Sequence, residues 1–237
     1  MAWHVYSNPK SPVICPVLSM AKYLFAHPDI LTTNSKLFPG NHQYERFLKI
    51  FHKVINDNIE EFQSLGVEKG TLGAHSVRKG SITMVSSGCT VSPPMASICL
   101  RACWSIGPIK DRYIHYDKSG DHFVGRTATG ISSLTVEFAI SPVHWDWTEG
   151  GTNMENQMLI TIEENLARKT EVQSSTFELL KYLFAAICYH YEHLDAHLDK
   201  NHRLRTSPIF IAAGRKKIFE KMPSLATHGP VLIKLLF

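Results

Sequence analysis

Apolar residues recur at helical spacing along most of this chain, and the breaks between the periodic stretches fall at proline, glycine and asparagine. Pro16 stands at the first position of a segment carrying Val17, Leu18, Met20, Tyr23, Leu24 and Phe25, and His27-Pro28 closes it. This predicts a helix with proline at N1. A loop is expected over residues 28–41. Asn41 then caps a long amphipathic helix over residues 42–64, with Phe47, Phe51, Val54, Ile55, Ile59 and Phe62 on its apolar face and Gly66 as a C′ glycine. Shorter helices are predicted over residues 76–87 (closed by Gly88), from Ser92-Pro93-Pro94 to about 102, over 108–116 and over 160–168. Ser175 with Glu178 forms a capping-box pattern for a helix reaching about Leu198, with the stripe Phe177, Leu180, Phe184, Ile187, Tyr191, Leu194 and Leu198.

Strand signals are few. Residues 2–7 alternate loosely, Asn8-Pro9-Lys10-Ser11-Pro12 reads as a turn, and Val13-Ile14-Cys15 can return as a second short strand. Residues 131–156 lack periodicity and read as an irregular linker, and residues 203–237 are short apolar runs that the pattern does not place. The expected fold class is mainly α with a small N-terminal β-hairpin. The expected division is residues 1–130, then a linker and helical C-terminal extension over 131–237.

Composition narrows the class. A hydrophobic content of 44% with 19% charged residues describes a chain with a packed core, not a disordered one. Five scattered cysteines argue against a secreted disulfide framework, and Cys99 and Cys103 read as small buried hydrophobes. The most apolar long stretch, residues 177–198, is interrupted by Lys181, Glu192 and Asp195, so no membrane span is expected. Charge is where the chain becomes specific. Arg78, Lys79, Arg101, Lys110, Arg112, Lys118 and Arg126, against Asp111, Asp117 and Asp121, place the whole net charge of +4 between His75 and Arg126. Such an asymmetry fits a phosphate-binding face, or simply a solvated basic surface.

Within that stretch His75 and Arg78 share one face of the first turn of a predicted helix. Free N–H groups and the positive dipole end there favour an anion. Trp104 follows, and Tyr113 lies nine residues after it. Gly73-Ala74-His75-Ser76-Val77-Arg78-Lys79-Gly80, then Trp104 and Tyr113, resembles the tyrosine recombinase (phage integrase) family, most of all its members from eukaryotic mobile elements. The resemblance covers roughly residues 1–130.

It implies a partial recombinase catalytic domain that binds double-stranded DNA, with site-specific recombination or integration as its function. Tyr113 would be the nucleophile that joins the 3′-phosphate, and Arg78 the fork that holds its non-bridging oxygens. His75 would carry a proton or donate a hydrogen bond, and Trp104 would donate its indole N–H. Lys10, in the hairpin turn, would protonate the leaving 5′ oxygen. Lys79, Arg101, Lys110 and Arg112 would contact the DNA backbone. Tyr116, nearly one turn further on, is a rival nucleophile.

No cofactor or metal is implied; His193 and His197 have i,i+4 ligand spacing but no accompanying Glu motif. The resemblance further implies assembly of copies on DNA and an intracellular location, nuclear in a eukaryote. The family places another catalytic Arg on a helix before the hairpin, and a DNA-clamping domain before that. Neither has a counterpart ahead of residue 2, so the chain is expected to correspond to the C-terminal part of a recombinase with impaired strand transfer. By analogy with oxyanion-site deletions, loss of that Arg costs on the order of 10²–10³ in rate. Two other readings stay open: a catalytically dead DNA-binding or protein-interaction module, and a helical interaction protein built around residues 176–198.

Overall fold

The structure, a computed structural model, describes residues 3–32, 37–88, 90–105, 107, 118–135, 138, 143–145, 151–166, 174–214, 225–226 and 234–235. Strand β1 (Trp3–His4) is followed by helices α1 (Pro16–Ala26), α2 (Asp29–Thr32), α3 (Gln43–Asp57), α4 (Ile59–Ser64), α5 (Ala74–Ser87), α6 (Met95–Arg101) and α7 (Lys118–Ala128). Strand β2 (His144–Trp145), helices α8 (Gly151–Asn165), α9 (Ser174–Tyr189), α10 (Tyr191–His197) and α11 (Pro208–Gly214), and strands β3 (Leu225–Ala226) and β4 (Lys234–Leu235) complete the order. The chain is mainly α, as its periodicity predicts. Among the described residues no helix is long and apolar enough to cross a membrane.

The expected hairpin is not formed. Residues Pro12–Ile14 make a 3₁₀ turn instead of a strand. The Asn8 side chain accepts the N–H groups of Lys10 (3.1 Å) and Ser11 (2.9 Å), which closes a tight local turn. Pro12, at the start of that 3₁₀ turn, lacks the N–H that a strand ladder needs. Cys15 then caps α1, its sulfur accepting the Leu18 N–H. β1 pairs antiparallel with β4 at the far end of the sequence, Trp3 opposite Leu235 and His4 opposite Lys234.

One large core gathers Val17, Leu18, Ala21, Leu24 and Phe25 of α1 with Met158 and Ile162 of α8, Leu180, Leu183, Phe184 and Ile187 of α9, and Ile209 and Phe210 of α11. Helix α1 packs chiefly on α9, while α11 packs on both α8 and α9. Helices from both sides of residue 130 therefore share one apolar core. Residues 151–156, expected to be irregular, belong to α8, which also ends sooner than its predicted helix. The stretch 174–198 is two helices, because His190 leaves helical geometry at φ −100°, ψ 18°.

His190 is buried, with its ring edge-on to Tyr189 at 4.9 Å. Burial, and secondarily the neighbouring His193, lower its pKa from 6.5 to about 4. The native state thus refuses a proton that the unfolded chain accepts, so stability falls as pH drops from 6.5 toward 4. The expected loss is about 2–3 kcal/mol across that window. Urea unfolding at pH 7 and pH 4.5 measures it, and His190→Gln should flatten the difference between the two.

A second, smaller core joins α5, α6 and α7 through Val85, Ile98 and Val124, with Ile82 packed against it. Helices α3 and α4 stand apart from both cores among the described residues. Of the apolar face predicted there only Ile55 is buried, while Phe47 and Val54 are exposed and Phe47 stacks on Phe51 at 5.7 Å. The predicted single helix breaks at Asn58, whose side-chain amide donates to the Val54 carbonyl at 2.8 Å. Gly66 does terminate α4 in a left-handed conformation, φ +81°. Its N–H donates to the Gln63 carbonyl and that of Val67 to the Phe62 carbonyl, the paired bonds of a Schellman end.

Candidate nucleic-acid interface

Helix α5 begins after Gly73, whose N–H donates to the Ser76 hydroxyl at 3.1 Å. His75 and Arg78 follow one turn apart on this helix, and both are exposed, as is Lys79. Arg78 and Trp104 are brought together. The guanidinium carbon lies 5.7 Å from the centroid of the Trp104 ring, within cation–π range. The cause is the end of α6. Cys103 adopts φ 54° and turns the chain, the Trp104 N–H donates to the Cys99 carbonyl at 2.9 Å, and Arg78 Nη2 donates to the Ala102 carbonyl. Arg78 thus satisfies a carbonyl that the end of a helix leaves without an intrahelical partner. Trp104 keeps 43% of its surface exposed, so the pair sits at the surface and not in the core.

Lys10 is exposed on the turn built around Asn8. Asn8 itself is buried, and its amide donates to the Thr129 carbonyl at 2.8 Å, anchoring the turn to the end of α7. Tyr113, Tyr116, Lys110 and Arg112 lie outside the described residues, as does the helix predicted over 108–116.

Arg101, expected on the DNA backbone, is engaged internally. It forms an ion pair with Asp121 Oδ1 and donates to the His4 carbonyl at 2.8 Å. Asp121 Oδ2 accepts from the His4 backbone N–H at 3.2 Å and meets His4 Nδ1 at 2.7 Å. Because a carboxylate only accepts, Nδ1 carries the hydrogen. The His4 and Asp121 side chains are 7% and 2% exposed, so this is a buried junction of β1, α6 and α7. Beside it the His4 and His122 rings lie 4.2 Å apart, and the Tyr6 hydroxyl bonds His122 Nδ1. Gly125 permits the approach of β1 and the residues just after it: a Cβ there would come within 2.8 Å of the Tyr6 ring and 3.2 Å of the His4 carbonyl oxygen. Arg126, also counted in the basic stretch, stacks over the Tyr6 and Phe138 rings at 5.1 and 5.9 Å. The charge excess is therefore partly structural. Arg78 and Lys79 present it to solvent, whereas Arg101 and Arg126 are used in packing.

The sequence pattern missed His4, Tyr6, Asp121 and His122. Nothing local singles out Asp121, one of three Asp residues in the basic stretch. Cys103, expected to be buried, is exposed and Cys99 is half-buried, while Cys15 and Cys188 are buried and burial pushes the Cys188 thiol well above its ordinary range. The His193 and His197 rings stack at 4.4 Å, and His197 Nδ1 hydrogen-bonds the His193 carbonyl at 2.9 Å. In comparisons with protein-family models, curated proteins and solved structures, nothing matches this chain.

Proposed function

We propose that this chain is a DNA-binding protein of the tyrosine-recombinase type, with its phosphate seat at Arg78. The observation that supports this reading most is the pairing of exposed Arg78 with Trp104 across the α5–α6 junction, on the same helix turn as His75. A guanidinium held on one side by a carbonyl and stacked on a ring presents its remaining N–H donors in a fixed direction, the arrangement suited to phosphate oxygens. In the reaction, the Tyr113 oxygen attacks the scissile phosphorus and the bond to the 5′ oxygen breaks. The phenol proton passes to His75, and Lys10 supplies a proton to the leaving oxygen. Rejoining runs the same steps in reverse.

The second reading is DNA binding without chemistry. The use of Arg101 inside the fold leaves one cation fewer for the DNA backbone under either reading. A nicked DNA substrate, which traps a covalent intermediate, separates the two readings. Strand transfer predicts a protein–DNA adduct that survives denaturation and disappears in Tyr113→Phe. Binding without an adduct leaves the second reading. In either case Arg78→Ala should weaken duplex binding and reduce the slope of log K against log salt by about 0.9, the signature of one lost phosphate contact. An unchanged slope removes Arg78 from the interface.

A further inference from the structure

Between α5, α6 and α7 lies a cavity of about 290 Å³, near the lower bound of about 300 Å³ for small-molecule sites. Its walls are Ile82, Val85, Ile98 and Val124, the whole of the smaller core, with Arg78, Arg101, Ser81, Ala102 and Ala128 completing them. Val85, Ile98 and Val124 are packed together and form the floor of an open cleft between the three helices, and the half-buried Ile82 is the most accessible of these four apolar residues. The two cations of the wall differ. Arg101 is neutralised by Asp121. Arg78 is exposed and has no carboxylate within ion-pairing distance among the described residues; the Ala102 carbonyl and the Trp104 ring hold it. The result is an apolar hollow bordered by one oriented guanidinium with unused N–H donors.

We propose that this cavity binds a small amphiphilic anion, a carboxylate with a short aliphatic tail, with its head on Arg78 and its tail against Ile82, Val85, Ile98 and Val124. An apolar wall selects against a bare phosphate or sulfate, which would leave it unfilled. A neutral aliphatic molecule forfeits the charge-assisted bonds to the guanidinium. The proposal does not rest on the DNA reading. Where both hold, the two ligands share Arg78 and compete. Where DNA binding fails, the cavity stands alone.

Calorimetric titration of the full chain with hexanoate, octanoate and decanoate, and with 1-octanol, tests it. The expected result is saturable one-to-one binding that tightens about fourfold for each CH₂ that enters the cavity, then levels off when the hollow is full. Arg78→Met should weaken octanoate about tenfold or more and leave 1-octanol unchanged. Ala128→Phe, at an exposed wall position, should fill the hollow and abolish binding of both. Equal loss of octanoate and octanol in Arg78→Met overturns the assignment of the head group. Binding that survives Ala128→Phe, or no saturable binding at all, overturns the site.

Discussion

Replacing Asp121 by asparagine is expected to lower the unfolding free energy by about 3–5 kcal/mol, the range for breaking one partner out of a buried ion pair. The carboxylate is 2% exposed and answers three donors at once: the Arg101 guanidinium, the His4 imidazole and the His4 backbone N–H. An amide keeps the shape but removes the charge, and turns one acceptor into a donor that faces donors. The Arg101 cation, with 22% of its side chain exposed, then loses its counter-ion. Urea unfolding followed by helical circular dichroism measures the loss. The pair Asp121→Leu with Arg101→Met should recover only part of it: the cation left without its counter-ion is gone, but the variant also takes away the bonds that Asp121 and Arg101 make to the His4 N–H, imidazole and carbonyl. A single-variant cost under about 1 kcal/mol would mean that the junction does not hold β1 to α7. The variant should also affect the candidate site. Arg101 is the last residue of α6, and Ala102, whose carbonyl seats Arg78, comes next. Loosening Arg101 therefore loosens Arg78, and weaker binding at Arg78 should accompany the lost stability.

Phe184→Ala is expected to cost about 3–5 kcal/mol, the range for truncating a fully buried aromatic. Phe184 is 1% exposed in α9, edge-on to the Trp145 ring at 5.4 Å, and belongs to the same core as Leu18 and Phe25 of α1. A shared core makes a second consequence testable. Unfolding of the variant should remain a single transition whether followed by tryptophan fluorescence or by helical circular dichroism. Two separated transitions would mean that the N-terminal helix does not depend on the C-terminal ones. For the same reason, a fragment ending at residue 130 would leave the apolar face of α1 without α9, and is expected to aggregate or to remain partly unfolded.

Much of the local structure was legible because its causes are local. Pro16 at N1, Gly66 with its left-handed φ and the period of α9 act within a few residues of themselves, so pattern and steric rules reach them. The end of α9 at His190 was not legible. Its stripe continues through Leu194, yet the buried His190 leaves helical geometry and a new helix starts at Tyr191. Half of the candidate site was legible in the same way. His75 and Arg78 lie one turn apart on any helix, so the period alone puts them on one face.

The sequence by itself determined that this protein is mainly helical, where several of its helices start and stop, and that its net positive charge is gathered between His75 and Arg126. Only the tertiary structure decided which of those charges faces solvent. Arg101 and Asp121 are ordinary surface residues by pattern, and β1 reads as half of a hairpin. The reason is reach: Asp121 meets His4 across 117 positions, and β1 finds its partner strand at Lys234–Leu235. Hydrophobic period and turn chemistry describe how a segment folds against its own neighbours. Ion pairs and strand partners are set by which segments the tertiary packing brings together, and here one core gathers helices from both sides of residue 130 while β1 pairs with β4. The same long-range packing that spends Arg101 inside the fold leaves Arg78 at the surface, held by Ala102 and Trp104, beside a hollow that no local pattern describes.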